Sequence, residues 1–234
     1  MIEHGKKYNN AQEKLKDSLG KTVALTAKEA LQKVQELAYV KFDETVDVSV
    51  NLGIDASKGE QVVRGSVILP HGSGKKTTVL VFAEGVKADE ARAAGADYVG
   101  FDDLVEKISG GWIDFDYTVA TPDLMPKLGK LAKVLGPKGL LPNKKLGTVS
   151  DDVAAVVKEL KKGKAFFKND KYGLVHFAIG KVSFGADKLQ DNFTEFLKVL
   201  ASSKPTSSKG KFIRKITVSS TMGLGIQIDV DSLS

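Results

Sequence analysis

Cysteine is absent from this 234-residue chain. That excludes a disulfide framework, a thiolate metal site and a cysteine nucleophile. Histidine is scarce, and His4, His71 and His176 stand far apart. None lies one helical turn from another histidine or a carboxylate, so the spacing of a histidine metal site is missing. No uncharged apolar run approaches the roughly 18 residues that span a bilayer. The first segment, Met1 to Lys21, is polar throughout and lacks the apolar stretch of a signal peptide, so a cytoplasmic chain is the expectation. What remains is ordinary for a folded protein: 42% apolar and 27% charged residues, enough to bury a core over this length.

The formal charge of +6 is unevenly placed. Residues 1–67 are neutral, residues 68–159 carry −1, and residues 160–234 carry +7. A basic surface concentrates polyanions, of which nucleic acid is the commonest in cells, although a solubilising lysine face has the same composition. The middle of the chain has a polarity of its own. Glu84 to Asp123 holds ten acids against three bases, whereas Pro126 to Ser150 holds six lysines (127, 130, 133, 138, 144 and 145) and no acid.

Hydrophobic periodicity organises the chain in three stretches. Asn10–Leu19 and Thr26–Ala38 read as helices, the second opened by a Thr26/Glu29 capping box. Thr45–Leu52 alternates, with Val46, Val48, Val50 and Leu52 on one face, and Val62–Leu69 reads as a further strand. A continuous apolar strand, Thr77–Ala83, then opens a strand–helix alternation: helix Asp89–Ala94, a strand at Tyr98, helix Asp102–Ile108, strand Tyr117–Ala120 and a helix after Thr121-Pro122. That rhythm predicts a small parallel sheet covered by helices. Gly136–Gly147, rich in Gly, Pro and Lys, reads as an ordered loop. The last stretch is mixed: helix Asp151–Lys162, strands Ala165–Lys168 and Leu174–Ile179 around a hairpin turn at 169–173, helix Leu189–Ala201, and strands Lys211–Ser219 and Ile226–Val230. The first and last stretches both supply alternating strands, so they can share one sheet with the middle unit inserted between them.

Enzyme motifs fail on inspection. Gly72-Ser73-Gly74-Lys75 suggests a phosphate loop, but Leu69 stands where that loop needs its first glycine and Lys76 where it needs Ser or Thr. No G-x-G-x-x-G and no G-x-S-x-G occurs. Asp114 and Asp116 share a strand face in this reading, but such a pair is more often a solvated edge than an acid–base couple. The basic third is more informative. Ser219, Ser220 and Thr221 offer adjacent hydroxyls for phosphates, 2′-hydroxyls and base edges. Met222 adds an adaptable apolar contact, and Gly223 and Gly225 permit close approach of another backbone. Phe42, after Lys41, can stack on a base or sit in the core, and the turn before Gly173 carries Lys171 and Tyr172. A nucleotide-using α/β enzyme and a protein-binding scaffold docking through lysines 127–145 are the rival readings.

At these residues the sequence resembles the bacterial large-subunit ribosomal protein L-one family. The matching segments include Lys41-Phe42-Asp43-Glu44-Thr45-Val46-Asp47, Asn51-Leu52-Gly53-Ile54-Asp55, Leu69-Pro70-His71-Gly72, Ala120-Thr121-Pro122-Asp123, Leu135 to Asn143, Asn169-Asp170-Lys171 and Ser220-Thr221-Met222-Gly223, in the family's order over nearly the whole chain. The resemblance implies two domains, an α/β and α+β combination. An α+β RNA-binding domain would be built from residues 1–67 and 160–234, and a Rossmann-like three-layer α/β domain, 68–159, would be inserted. It implies a non-enzymatic protein without cofactor or metal, monomeric outside the ribosome. Its partners would be the 23S rRNA of the mobile stalk, the exit-site tRNA whose deacylated form it helps release, and its own operon mRNA, whose translation it would repress. Carried over by position, the rRNA contacts fall on Phe42, on Asp170, Lys171, Tyr172 and Gly173, and on Ser219, Ser220, Thr221, Met222 and Gly223. Lys41, Lys168, Lys181, Lys211 and Lys215 add salt-dependent attraction. Two positions depart from the family: Leu224 and Lys144 stand where proline is common, and the first implies a less rigid turn after Gly223.

Overall fold

The computed structural model describes residues 5–19, 24–208 and 210–233; His4 lies outside them. In chain order the elements are α1 (Lys6–Leu19), α2 (Ala27–Glu36), β1 (Thr45–Leu52), β2 (Arg64–Ile68), β3 (Val79–Phe82), α3 (Val86–Ala93), β4 (Tyr98–Gly100), α4 (Asp102–Ser109) and β5 (Tyr117–Ala120). There follow α5 (Ala132–Leu135), α6 (Val153–Lys161), β6 (Lys164–Lys168), β7 (Leu174–Lys181), α7 (Ala186–Ser202), β8 (Ile213–Ser220) and β9 (Ile226–Ile228). The fold is a mixture of α and β. It divides into two compact units, residues 1–74 with 165–234 and residues 75–164. Leu69 is buried in the core of the first, so the turn that follows β2 belongs there.

The first unit is organised by a four-stranded antiparallel sheet in the order β7-β1-β8-β9. Its period-two pattern decides which face is buried. Val46, Val48, Val50 and Leu52 of β1 point inward with Val175, Phe177 and Ile179 of β7 and Ile216 and Val218 of β8, against α2 and α7. The Phe177 ring stacks on Phe196 of α7 at 4.4 Å between centroids. The capping box starts α2: Thr26 Oγ1 accepts from the Glu29 amide, and the Glu29 carboxylate accepts from the Thr26 amide. The opposite face carries Asp47, Ser49 and Asn51, His176, Lys215, Thr217 and Ser219, and Gln227.

The second unit is built on a parallel sheet in the order β4-β3-β5. Every residue of β3 is fully buried, as the unbroken Val79–Phe82 run requires when both faces are covered. Leu80 and Phe82 pack with Leu104 and Ile108 of α4, and α3 and α6 pack against β3. Among the described residues no helix is long and apolar enough to cross a membrane.

Several expectations need correction. No continuous helix follows Thr121-Pro122. The segment is broken into 3-10 turns at Pro122–Leu124 and Lys127–Leu131 and the single turn α5. Pro126 lacks the N–H a longer helix needs, and Gly129 costs about 1 kcal/mol relative to alanine in a helix interior. The strands flanking the turn at 169–173 do not form an extended hairpin. β6 joins β2 in a separate two-stranded sheet while β7 joins β1, and one bridge, Asn169 with Val175, links the turn's two sides. Asp114 and Asp116 precede β5 rather than sharing a strand face. Asp116 accepts from the Thr78 amide at 3.0 Å and from Lys75 Nζ at 2.5 Å, which makes it a structural anchor. Leu224, which follows the turn, has its side chain buried in the first core.

Candidate RNA interface

Register determines which candidate residues meet. Thr45 pairs with Lys181 of β7, and Val46 pairs with Ser220 of β8, so the start of β1 lies beside the ends of both neighbours. Phe42, Lys41, Lys181 and the turn at 221–223 therefore gather at one end of the sheet. At the other end Asn51 pairs with Leu174 and Lys215. The turn at 170–173 and Lys211 lie there, six residue steps along β1, or roughly 20 Å. The candidates thus form two clusters. The outward sheet face connects them with a row of His176, Ser49 and Thr217, in which Ser49 Oγ lies 3.0 Å from His176 Nδ1. Sequence reading missed this face as a surface, although the Asp47/Ser49/Asn51 alternation signalled it.

At the first end the turn is held from below. Glu44 is almost completely buried, and one carboxylate oxygen accepts from the Met222 amide at 2.9 Å. Its other oxygen is buried with no hydrogen-bond partner among the described residues. Tyr39 Oη donates to the Met222 carbonyl at 2.7 Å. Thr221 Oγ1 accepts from the Thr45 amide at 3.1 Å and donates to the Thr45 carbonyl at 3.3 Å. With both backbone groups of Met222 occupied, its side chain, 52% exposed, is what the turn presents. Phe42 is 55% exposed, which settles its role as a surface ring rather than a core residue. A groove of about 450 Å³ beside Met222 is lined by Gly5, Lys6, Lys7, Tyr8 and Tyr39, residues that sequence reading did not assign to the site. Burial also pushes the Asp47 carboxyl above its ordinary value, against the pull of Lys181 and His176.

Not every candidate is presented. Ser220 is buried and packs under the turn. Lys181 Nζ donates to Thr45 Oγ1 at 2.9 Å and so braces the strand start. Lys211 is paired with Asp231 at 2.6 Å, whereas Lys41, Lys168 and Lys215 are exposed. At the second end Asp170 is a scaffold. One of its oxygens accepts from the amides of Tyr172 and Leu174, each at 2.8 Å, and Gly173 takes φ +79°, a region that favours glycine. This turn lifts Lys171 and Tyr172 into solvent, with Lys171 Nζ 5.0 Å from the Tyr172 ring centre and Tyr172 72% exposed. The surface as a whole offers hydroxyls, two exposed rings, a methionine and lysines, with no metal-binding group of three or more His, Asp or Glu among the described residues.

The family model described as "Ribosomal protein L1p/L10e family" matches residues 31–224. Three relatives, each named "Large ribosomal subunit protein uL1", align over most of the chain. The protein of Desulfotalea psychrophila is 52% identical over 229 residues, covering 98% of this chain and 96% of the relative. That of Cutibacterium acnes is 54% identical, covering 97% of each. That of an Azoarcus species is 53% identical over 206 residues, covering 88% and 89%.

Two outcomes test the geometry. A Cβ at Gly223 would lie 2.3 Å from Ser220 Oγ, so Gly223→Ala is expected to displace the buried hydroxyl, disturb the turn and weaken RNA binding. Adding Ser220→Ala removes the clashing oxygen and should restore part of the affinity in a titration of the single and double variants. For Asp170, the Leu174 and Tyr172 amides hold the carboxyl below its ordinary 3.8. A depressed folded value means its stabilisation is complete above pH 3.8 and is lost as pH falls through the folded value. Denaturant unfolding of wild type and Asp170→Ala should therefore show a constant stability gap at neutral pH that narrows only in acid.

Proposed function

The chain belongs to the ribosomal protein L1p/L10e family, and from that premise we propose that it binds the 23S rRNA of the mobile stalk, in the large ribosomal subunit, through the sheet end formed by Phe42 and Thr221-Met222-Gly223. The observation that carries this reading is the clamped turn, in which Glu44 and Tyr39 fix both polar groups of the Met222 backbone and Thr45 holds the Thr221 hydroxyl. A turn ordered before binding loses little conformational entropy on meeting its ligand. The wide, shallow minor groove of folded RNA displays 2′-hydroxyls and base edges. The turn opposes it with a hydroxyl, an apolar side chain and a glycine that lets the two backbones approach. Phe42 supplies a stacking face, and Lys6, Lys7 and Lys41 supply phosphate contacts.

The RNA-binding domain in this proposal is the unit built from both chain ends, 1–74 and 165–234, with 75–164 inserted. The second cluster, Lys171 and Tyr172 on the turn set by Asp170 and Gly173, extends the contact across the outward sheet face, aided by Lys168 and Lys215. Recognition is by shape and hydroxyls rather than by a base code, so a similar RNA fold elsewhere can occupy the same surface. That property supports repression of the protein's own operon mRNA when rRNA is limiting. Residence on the stalk beside the exit site supports a part in releasing deacylated tRNA. The protein would act in the cytoplasm, as a monomer until it joins the ribosome. The relatives bear the name of a ribosomal protein rather than of an enzyme, and the chemistry proposed here is binding alone.

Filter binding to an rRNA stalk fragment at two salt concentrations, with a stem of equal length as competitor, tests the site. Thr221→Val removes both bonds to Thr45 and the hydroxyl offered to RNA, and should weaken specific binding by about 1–3 kcal/mol. Thr221→Ser should stay near wild type. Wild-type affinity from a folded Thr221→Val protein would refute the assignment.

A further inference from the structure

The lysines of 126–150 take no part in the site described above. Leu124, Leu128, Leu131 and Leu135 are all buried in the second core. That leucine stripe turns the intervening residues outward, and Lys127, Lys130 and Lys133 are exposed. The first two lie in the 3-10 segment Lys127–Leu131 and the third in the turn of α5 that continues it. In a 3-10 helix residues three apart eclipse one another, so Lys127 and Lys130 stand in one column with their backbone positions roughly 6 Å apart along the axis, and Lys133, in the α-helical turn that follows, extends it with a smaller rise and some rotation. The broken helix has a consequence here, since a regular α-helix would rotate the same three side chains progressively around its axis.

Several lysines of this unit are neutralised locally, whereas Lys76, Lys107 and Lys158, like Lys127, Lys130 and Lys133, are exposed and make no ion pair among the described residues. Lys75, Lys87, Lys161 and Lys164 each face a carboxylate, at 2.5, 2.7, 2.6 and 2.8 Å. Among the described residues Lys127, Lys130 and Lys133 make no ion pair, nor do Lys138 and Lys144; the side chain of Lys145 lies outside them. Lys127 does lie 5.2 Å from the Phe101 ring centre, which positions it without neutralising it.

The loop that follows is ordered by its own bonds. The Gly139 amide donates to Gly136 O at 3.0 Å and the Leu140 amide to Leu135 O at 3.0 Å. Thr118 Oγ1 of β5 donates to the Leu140 carbonyl, and the Asn143 amide donates to Thr148 Oγ1 at 2.8 Å. Lys138 and Lys144 are thus carried on backbone pinned to β5. A fixed strip of uncompensated positive charge, without the hydroxyls and exposed rings that read RNA shape, is suited to a phosphate backbone.

We propose that the lysine column Lys127-Lys130-Lys133, flanked by Lys138 and Lys144, is a second RNA-binding surface, one that takes the phosphate backbone of an RNA duplex without regard to sequence. This rests on the reading of the chain as an RNA-binding protein, but uses a different unit and a different kind of contact, so the two can fail separately. The lysines point away from the core, and glutamine has a helix propensity close to lysine's, so the triple variant K127Q/K130Q/K133Q should fold.

The test measures fluorescence anisotropy of a short RNA duplex, unrelated to the stalk fragment, titrated with the full chain over a series of potassium chloride concentrations. Each lysine contact that releases a counterion adds a little under one to the slope of log K against log salt. K127Q/K130Q/K133Q should flatten that slope by about 2 to 3, and the arginine triple should retain it. K76Q/K107Q/K158Q removes the same charge from the same unit at other exposed positions and should change the slope by less than about 1. The column variant should still prefer the stalk fragment to a control stem. Equal slope changes in the column and control triples would reduce the effect to net charge and overturn the proposal, as would no change in the column triple. Loss of the stalk preference only in Thr221→Val would support the first site whichever way the column behaves.

Discussion

Strand β1 depends on partners distant in sequence. Its hydrogen bonds run to β7 on one side and to β8 on the other. Both arise in the last third of the chain, more than a hundred residues away. A central strand with its partners so far off ties folding of the first unit to the meeting of both chain ends, and loop-closure entropy makes such pairings slow to form. The same pairing decides what the surface is. By setting Val46 against Ser220 and Thr45 against Lys181, it brings the segment at 39–45 beneath the turn at 221–223.

Beneath that turn the sheet tolerates an unfavourable arrangement. A buried carboxylate oxygen without a partner costs about 1–3 kcal/mol, and Glu44 has one. The gain is a fixed Met222 amide. One buried side chain below the surface, accepting this amide, thus holds a turn that is itself exposed. Functional surfaces are where such local costs are found, supported by the packing around them. Here the support comes from the Val46 and Val218 side chains and from Leu224, which seals the chain after the turn.

Much of this was legible in the sequence, for definite reasons. Val46, Val48, Val50 and Leu52 announce β1 because one face is buried and the other is not. The Val79–Phe82 run announces a strand covered on both faces, and Thr26 with Glu29 announces the start of α2. Other features depend on terms that a one-dimensional pattern does not contain. Register separates the 170–173 turn from Thr221 by the length of β1, although both stand in the same basic third. Ser220 looks like its neighbours Ser219 and Thr221, yet the pleat turns it inward. Nothing in the pattern marks Glu44 and Tyr39, and only the return of β8 makes them the floor of the turn. Helix α7 begins at Ala186, three residues before its apolar periodicity becomes visible, because the turn at Gly185 sets its start.

The central claim is that a residue hidden from solvent organises the surface that meets RNA. The most direct measurement is the affinity of a folded Glu44→Ala protein for the rRNA stalk fragment, taken together with hydrogen exchange at the Met222 amide. The expected result is faster exchange at Met222 and weaker specific binding, by about 1–3 kcal/mol, from a side chain that RNA does not touch. Wild-type affinity alongside a freely exchanging Met222 amide would contradict the account, since the turn would then recognise RNA without being held.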